Sequence, residues 1–226
     1  MILQTKIPLD KETKNPISYL SKIFLLGSCF SENIGDQLNY FKFQMHQNPF
    51  GILFHPKAIE NFISNVIHEK KYVAEDLIFQ DEQWHSFDAH STVSSSNKEK
   101  ILEDLNLKIN TTKKQFQEVS HIIITLGTSW VYTYTETNTV VANCHKIPQK
   151  KFSKKLLSID EVSKSLEAII NVLPGMKSPT VLPLAESGWS SVHSVIDKNQ
   201  FWNIIDDLKA LGAQGILICP IEKMVL

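Results

Sequence analysis

The motif Gly27-Ser28-Cys29 follows an apolar run at residues 23–26 and precedes a segment, residues 30–38, in which two apolar residues lie four positions apart. This pattern predicts a strand, a tight turn and a helix. Backbone N–H groups and the helix dipole at such a turn stabilise a thiolate or an oxyanion, so either Cys29 or Ser28 could be a nucleophile. The structural alternative is that Ser28 caps the helix and Cys29 is a small buried residue.

A second apolar run, residues 122–126, leads into Gly127-Thr128-Ser129. Continuous apolar runs of this kind are typical of buried parallel strands. The carboxyl ends of parallel strands form the ligand-binding edge of an open α/β sheet. We therefore expect this turn and the turn at residues 27–29 to face the same cavity.

Hydrophobic periodicity predicts the elements that position these turns. The expected helices are residues 57–68, a long helix capped by Ser96, and residues 158–173, where Ser158 and Glu161 have the spacing of a capping box. Residues 130–146 favour a β-hairpin. Towards the end of the chain the pattern changes to strand, strand, helix (residues 200–211) and strand, which is most of a small α+β module.

The composition is that of an ordinary globular protein, with 42% hydrophobic and 21% charged residues and a formal net charge of −1. This balance argues against a nucleic-acid or polyanionic partner. The three cysteines are too few and too scattered for a disulfide framework or a zinc site, which indicates a reducing compartment. There is no signal-peptide pattern and no run near the roughly 18 apolar residues that cross a bilayer, so we expect a cytoplasmic protein without membrane contact.

Residues 20–170 resemble the GSCFA family, which is named for the motif that stands here as "GSCFS" at residues 27–31. Four further segments occur in the family's order: "NPFGILFHP", "WHSFDAHS", "TLGTSWVY" and "NCHKIP". The family is grouped with the SGNH hydrolases, flavodoxin-like α/β enzymes that hydrolyse esters. The resemblance therefore implies a parallel sheet and a hydrolase-like site for a small ester or acyl substrate, without a cofactor or a metal.

The resemblance also implies roles for individual residues. Cys29 stands at the nucleophile position, and Ser28 stands where these enzymes have an aspartate. Ser129 replaces the asparagine that donates a hydrogen bond to the oxyanion. A serine hydroxyl can donate one hydrogen bond at that position. The oxyanion and pocket residues implied by the match are Gly27, Asn48, Gly51, Gly127, Thr128 and Ser129.

The late Asp-x-x-His motif that supplies the base in SGNH hydrolases is absent from the matched segments. His90 and His145 lie inside family motifs and are the remaining candidates for a general base. The structural alternative for each is a loop histidine that hydrogen-bonds to the backbone.

Residues 169–226 resemble the C-terminal regulatory domain of long-form ATP phosphoribosyltransferase through "LPGMKSPT", "LKALGA" and "PIEKM". In that family the module is ferredoxin-like and binds histidine as a feedback inhibitor. The catalytic domains have no counterpart here, so phosphoribosyl transfer is not expected.

The sequence thus predicts a hydrolase-like domain at residues 1–168, whose parallel sheet is incomplete at its C-terminal side, and a partial ferredoxin-like module at residues 169–226. The module lacks its first strand, so we expect it to borrow one or to pair with a second copy of the chain. The nearest candidate is residues 139–144, which we expect the first domain to keep. Alternatively, residues 179–185 could join the parallel sheet. Three functions remain open: an acyl hydrolase, a histidine sensor, and a fusion with no retained activity.

Overall fold

The computed structural model describes residues 15–173, 179–183 and 190–194. In these ranges the protein is α/β, with one parallel sheet of three strands and three antiparallel sheets. The helices and strands in chain order are β1 (Lys22–Gly27), α1 (Cys29–Tyr40), β2 (Gln44–Gln47), α2 (Pro56–Ile67), β3 (Leu77–Gln80), β4 (Gln83–Ser86), α3 (Lys98–Glu118), β5 (His121–Thr125), β6 (Trp130–Tyr134), β7 (Thr139–Val141), β8 (Phe152–Leu156), α4 (Ile159–Val172), β9 (Pro179–Pro183) and β10 (Ser190–Ser194).

The parallel sheet has the order β2-β1-β5, so β1 is its central strand. After Lys22 every residue of β1 is buried, as expected for a strand covered on both faces. Gly27 at the end of β1 pairs with Thr125 at the end of β5. The predicted strand, turn and helix are confirmed, and the two turns leave the sheet at neighbouring points.

Strand β5 ends at Thr125 rather than at the expected position 126. The chain leaves the sheet there because the N–H groups of Gly127 and Thr128 both donate to the Phe54 carbonyl. These two hydrogen bonds bind the second turn to the segment that precedes α2, and they set the direction in which residues 127–129 leave the sheet.

The sequence analysis missed β2 and the β3–β4 hairpin. Strand β2, "QMHQ", alternates between exposed and half-buried residues and carries little apolar surface. Its pairing with β1 supplies the stability that its composition lacks, because an edge strand satisfies its backbone through its neighbour. Strands β3 and β4 pair with each other over four residues each.

Helices α2 and α4 pack together in the main hydrophobic core. Their buried residues include Phe62 and Ile63 on α2, and Leu166, Ile169 and Ile170 on α4. Side chains on both sides of the expected boundary between residues 168 and 169 therefore enter one core. The capping box that starts α4 is confirmed.

The cap of α3 is Asn97 and not Ser96. The Asn97 side-chain oxygen accepts the Lys100 N–H at 2.8 Å. Asn and Ser are about equally good caps, so the local sequence did not separate the two positions.

Two expectations about the C-terminal region are corrected. The strand directly before α4 is β8, not residues 139–144; residues 139–141 remain in the hairpin with β6, as expected. Strand β9 pairs antiparallel with β10 and does not join the parallel sheet.

The expected helix at 200–211 and Cys219 lie outside the described residues. None of the helices in the described ranges has the length and hydropathy needed to cross a bilayer.

Candidate functional site

The turn at the end of β1 requires glycine at position 27. Gly27 has a φ of +124°, and a Cβ on it would lie 2.0 Å from the Thr125 carbonyl oxygen. The Gly27 N–H donates to the Asn48 side-chain oxygen at 2.9 Å. The turn therefore packs closely against β5, and Asn48 ties it to the loop after β2.

A chain of hydroxyl groups runs through this turn. Ser28 Oγ lies 2.9 Å from Thr125 Oγ1, and Thr125 Oγ1 lies 2.8 Å from Ser31 Oγ. Ser31 Oγ donates to the Leu26 carbonyl at 2.9 Å. Because each hydroxyl has one proton, Ser31 accepts from Thr125, and Thr125 in turn accepts from Ser28.

The Ser28 hydroxyl is therefore a donor to Thr125, and it also accepts the Phe30 N–H at 3.3 Å. Its side chain caps α1, which confirms the capping interpretation. The residue is buried, with 7% of its surface exposed. Among the described contacts of the Ser28 hydroxyl there is no histidine or carboxylate that could act as its base.

Cys29 is the first residue of α1, and its side chain is exposed. The expectation of a small buried cysteine is therefore wrong. The thiol lies at a helix N-terminus, where the dipole favours negative charge, and at the carboxyl edge of the parallel sheet. Across the described ranges, histidine, cysteine and carboxylate side chains form no group of three that could hold a metal ion.

The N–H groups expected to bind an oxyanion are used inside the protein. Gly51 N–H donates to the Asn48 carbonyl at 2.8 Å, and the Gly127 and Thr128 N–H groups donate to the Phe54 carbonyl at 2.8 and 3.0 Å. Gly127 lies directly beside Ser28, since a Cβ at position 127 would be 3.1 Å from Ser28 Cβ. The two turns therefore lie next to each other, but these donors point into the fold.

Asn48 is a second donor that the resemblance implied. Its side chain is buried, and its amide nitrogen is 3.4 Å from Glu32 Oε1, a long distance for a hydrogen bond. The Ser129 carbonyl accepts the Leu157 N–H at 2.9 Å. Among the implied oxyanion donors whose contacts are described, the Asn48 amide group therefore makes the weakest hydrogen bond within the protein.

His90 lies against the turn at Gly51. Gly51 has a φ of +73°, and a Cβ on it would lie 2.6 Å from His90 Cβ. The His90 N–H donates to the Phe50 carbonyl at 2.8 Å, and its Nδ1 accepts the Thr92 N–H at 3.3 Å. The ring thus caps the short helical turn that follows it.

His145 is buried, with 3% of its surface exposed. Its Nε2–H donates to the Ser86 carbonyl at 2.8 Å, and its ring lies against that of His85 with the centroids 4.4 Å apart and the planes tilted by 31°. Nδ1 is buried and makes no full hydrogen bond, although the Ala89 backbone lies close enough to affect it. Burial, with smaller contributions from His85 and His90, lowers the pKa of His145 to about 4, and the hydrogen bond to the Ser86 carbonyl opposes this shift in part.

Neither His90 nor His145 hydrogen-bonds to Ser28 or Cys29 in the described part of the chain. His145 is neutral at pH 7 and held by the backbone, and His90 caps a turn. The structure thus brings His85, His90 and His145 together in one group, and Ser28 and Gly127 in another. The loop that carries Asn48 and Gly51 connects the two groups.

Sequence reasoning missed Asp88, whose carboxylate holds the loop after β4 against α2. It accepts from Asn61 Nδ2 at 2.8 Å, from the Tyr72 hydroxyl at 2.8 Å and from Lys70 Nζ at 3.0 Å. Burial, and then the negative charge of Asp88, raise the pKa of Tyr72. The signal that could have identified Asp88 in the sequence was its position inside the family segment "WHSFDAHS".

The sequence analysis also passed over Thr125 and Ser31, which form the hydroxyl chain with Ser28. Thr125 is the polar end of an apolar run, and Ser31 is the last residue of "GSCFS". Ser31 is fully buried, and its hydroxyl bonds to the Leu26 carbonyl and to Thr125. A polar residue at the end of a buried strand is the signal that could have identified Thr125.

We expect iodoacetamide to modify Cys29 at least about 10-fold faster than Cys144, because labelling follows the exposed thiolate. Cys29 is exposed, whereas Cys144 is half-buried and burial raises its pKa. Limited labelling followed by peptide mass spectrometry measures both rates in one sample. Equal rates, or faster labelling of Cys144, would contradict an accessible thiol at the turn.

Comparison with known proteins gives two family matches. A sequence model of the GSCFA family matches residues 22–183. A second one, described as HisG, C-terminal domain, matches residues 153–223. The two matches overlap from β8 to β9.

The curated relatives match the C-terminal region. ATP phosphoribosyltransferase of Phocaeicola vulgatus is 62% identical over 73 residues, and the protein of the same name from Bacteroides fragilis is 60% identical over 73 residues. The one from Cytophaga hutchinsonii is 49% identical over 71 residues. The first two alignments cover 32% of this chain and 26% of each relative, so the chain spans about a quarter of their length. No solved structure matches this chain.

Proposed function

This chain belongs to the GSCFA family, and we propose that the edge of its parallel sheet is a thiol-dependent acyl hydrolase site with Cys29 as the nucleophile. The observation that carries the proposal is the contrast between two neighbouring residues. The Cys29 thiol is exposed at the start of α1. The Ser28 hydroxyl donates a hydrogen bond to Thr125 and caps the same helix.

The reaction would proceed in two steps. The Cys29 thiolate attacks the ester carbonyl carbon, the bond to the alkoxy oxygen breaks, and the alcohol leaves with a proton from water. Water then attacks the thioester carbonyl carbon, the C–S bond breaks, and the Cys29 thiolate is restored; the carboxylic acid leaves, and the hydroxide formed in the first step accepts the proton that the attacking water loses. In the first turn of α1 the Phe30 N–H donates to the Ser28 hydroxyl and the Ser31 N–H to the Ser28 carbonyl, so we propose that the Cys29 N–H and the Asn48 amide stabilise the oxyanion.

The geometry favours a slow reaction. General-base assistance contributes about 10²–10⁴-fold to catalysis, and neither His90 nor His145 is within reach of Cys29 by any described contact. In addition, the Gly51 and Gly127 N–H groups are used inside the fold. We therefore expect weak hydrolysis, most easily seen with an activated ester whose leaving group needs little help.

The test is hydrolysis of p-nitrophenyl acetate by the full chain and by three single variants. We expect Cys29→Ala to reduce the rate above background by about 10-fold or more, because it removes the nucleophile. Ser28→Ala should retain most of the rate; losing the cap costs about 1 kcal/mol of stability. Cys144→Ala is the matched control for the loss of one thiol. Equal rates in the wild type and in Cys29→Ala would exclude the cysteine from the mechanism.

We also propose that residues 153–223 form a histidine-binding module, as the resemblance to the regulatory domain implies. The identity of 62% over 73 residues to an ATP phosphoribosyltransferase supports this proposal. The match starts in β8, which precedes α4 in the chain as the missing first strand would, although in the described ranges β8 pairs with β6 and not with β9 or β10. On this proposal the module begins before α4 rather than at residue 169.

Isothermal calorimetry tests the module separately from the hydrolase site. We expect saturable heat on titration with L-histidine, and no saturable heat with L-glutamine, which offers a similar polar side chain without an imidazole. Because Cys29 lies outside residues 153–223, Cys29→Ala should bind L-histidine as the wild type does. The absence of heat with L-histidine would contradict the module's proposed role and would leave the hydrolase test unaffected.

A further inference from the structure

One face of the sheet formed by β6, β7 and β8 is rich in aromatic side chains. Alternation along β6 and direct pairing with β8 place six side chains on this side. The rings of Tyr134 and Phe152 are in contact, with centroids 5.4 Å apart. This surface, called the aromatic face below, consists of Trp130, Tyr132, Tyr134, Phe152, Lys154 and Leu156.

A cavity of about 390 Å³ opens beside the aromatic face. Tyr132 and Phe152 give it aromatic walls, Ile147 adds an aliphatic side, and Gln149 and Cys144 supply a carboxamide and a thiol. The volume lies within the range of small-molecule sites, about 300–1,000 Å³, and such sites combine apolar walls with a few polar groups.

Lys154 places a positive charge next to this cavity. Its Nζ lies 4.3 Å from the centroid of the Trp130 ring and 5.8 Å from that of Tyr132. Within the described ranges no carboxylate forms an ion pair with Lys154, whereas the neighbouring Lys151 is paired with Glu136 at 2.9 Å. The ammonium group is therefore held by ring faces and is available to an anion.

We propose that this cavity binds a small aromatic carboxylate. The ligand ring would pack against Tyr132 and Phe152, where offset or edge contacts between rings are favourable. Its carboxylate would meet the Lys154 ammonium, and a charge-assisted hydrogen bond is stronger than a neutral one. The site is independent of Cys29 and of the proposed hydrolase activity.

Cys144 lines the cavity and reports on its occupancy, while Cys29 on α1 is an internal reference in the same molecule. The probe is benzoate, with benzamide as its neutral isostere, both at constant ionic strength. We expect benzoate to slow iodoacetamide labelling of Cys144 severalfold and to leave Cys29 unchanged. Benzamide should have a smaller effect on Cys144.

Lys154→Met should remove the advantage of benzoate over benzamide. Lys98→Met is the matched control, because Lys98 Nζ also lies over a ring, that of Trp84 at 4.8 Å, but Trp84 does not line the cavity, whereas Tyr132 beside Lys154 does. Saturation-transfer NMR on benzoate gives a second readout that needs no thiol, with signal in the wild type and in Lys98→Met and loss of signal in Lys154→Met. No protection of Cys144, equal protection of both thiols, or unchanged benzoate binding in Lys154→Met would overturn the proposal.

Discussion

Gly27→Ala is expected to destabilise the protein by about 4 kcal/mol, because backbone strain and a steric clash each cost about 1–3 kcal/mol. The φ of +124° at Gly27 is one that residues with a side chain rarely adopt, and the new Cβ would lie 2.0 Å from the Thr125 carbonyl oxygen. That oxygen belongs to the central sheet, so it cannot move away without disturbing the pairing of β1 with β5. Urea denaturation followed by circular dichroism measures the change.

Gly35→Ala is the matched control, since both glycines are buried and Gly35 lies in α1, the helix that follows the turn. A Cβ at position 35 would meet the ends of the Gln47 and Met45 side chains, which can rotate away. Alanine also has a higher helix propensity than glycine by about 1 kcal/mol. We expect Gly35→Ala to stay within about 1 kcal/mol of the wild type. A Gly27→Ala variant as stable as Gly35→Ala would show that the turn can relax.

Lowering the pH from 7 to 4 is expected to remove up to about 3 kcal/mol of stability through His145, at 1.36 kcal/mol per pKa unit. Burial holds the pKa of His145 at about 4 in the folded protein, below its ordinary value of about 6.5. Between these two values the unfolded chain binds the proton and the folded protein does not. The stability is therefore complete above pH 6.5 and is lost as the pH falls towards 4.

The surroundings of His145 support this direction. The titratable groups facing its ring are His85, whose ring lies against it, and His90, and both disfavour a positive charge on His145. Burial also lowers the pKa of His55, so His55 contributes in the same direction. No carboxylate is among the groups that shift the pKa of His145.

Chemical denaturation at several pH values tests the assignment. His145→Gln keeps a donor for the Ser86 carbonyl and does not titrate, so its stability should depend less on pH between 6.5 and 4 than that of the wild type. His68→Gln is the control, because His68 is exposed and should change the profile little. If His145→Gln and the wild type lost stability in parallel, the pH dependence would have another origin.

The sequence by itself determined the elements whose signals are local. The apolar run before Gly27, the cap at Ser28, the capping box at Ser158 and the helices α2 and α4 were all predicted. Each depends on residues within a few positions of one another, where backbone geometry and side-chain spacing act directly. The same reasoning predicted that the two turns at residues 27–29 and 127–129 would meet, because parallel strands end at one edge.

Only the tertiary structure decided which groups in these turns are available for chemistry. Thr125, about 100 positions away in the chain, accepts the hydrogen bond of the Ser28 hydroxyl, whereas the neighbouring Cys29 thiol stays exposed. The Phe54 carbonyl accepts a hydrogen bond from the Gly127 N–H. Burial against His85 keeps the His145 ring neutral. The same residue types in other long-range surroundings would have other hydrogen-bond partners and other pKa values, because both properties depend on groups brought near by folding and not on neighbours in the sequence.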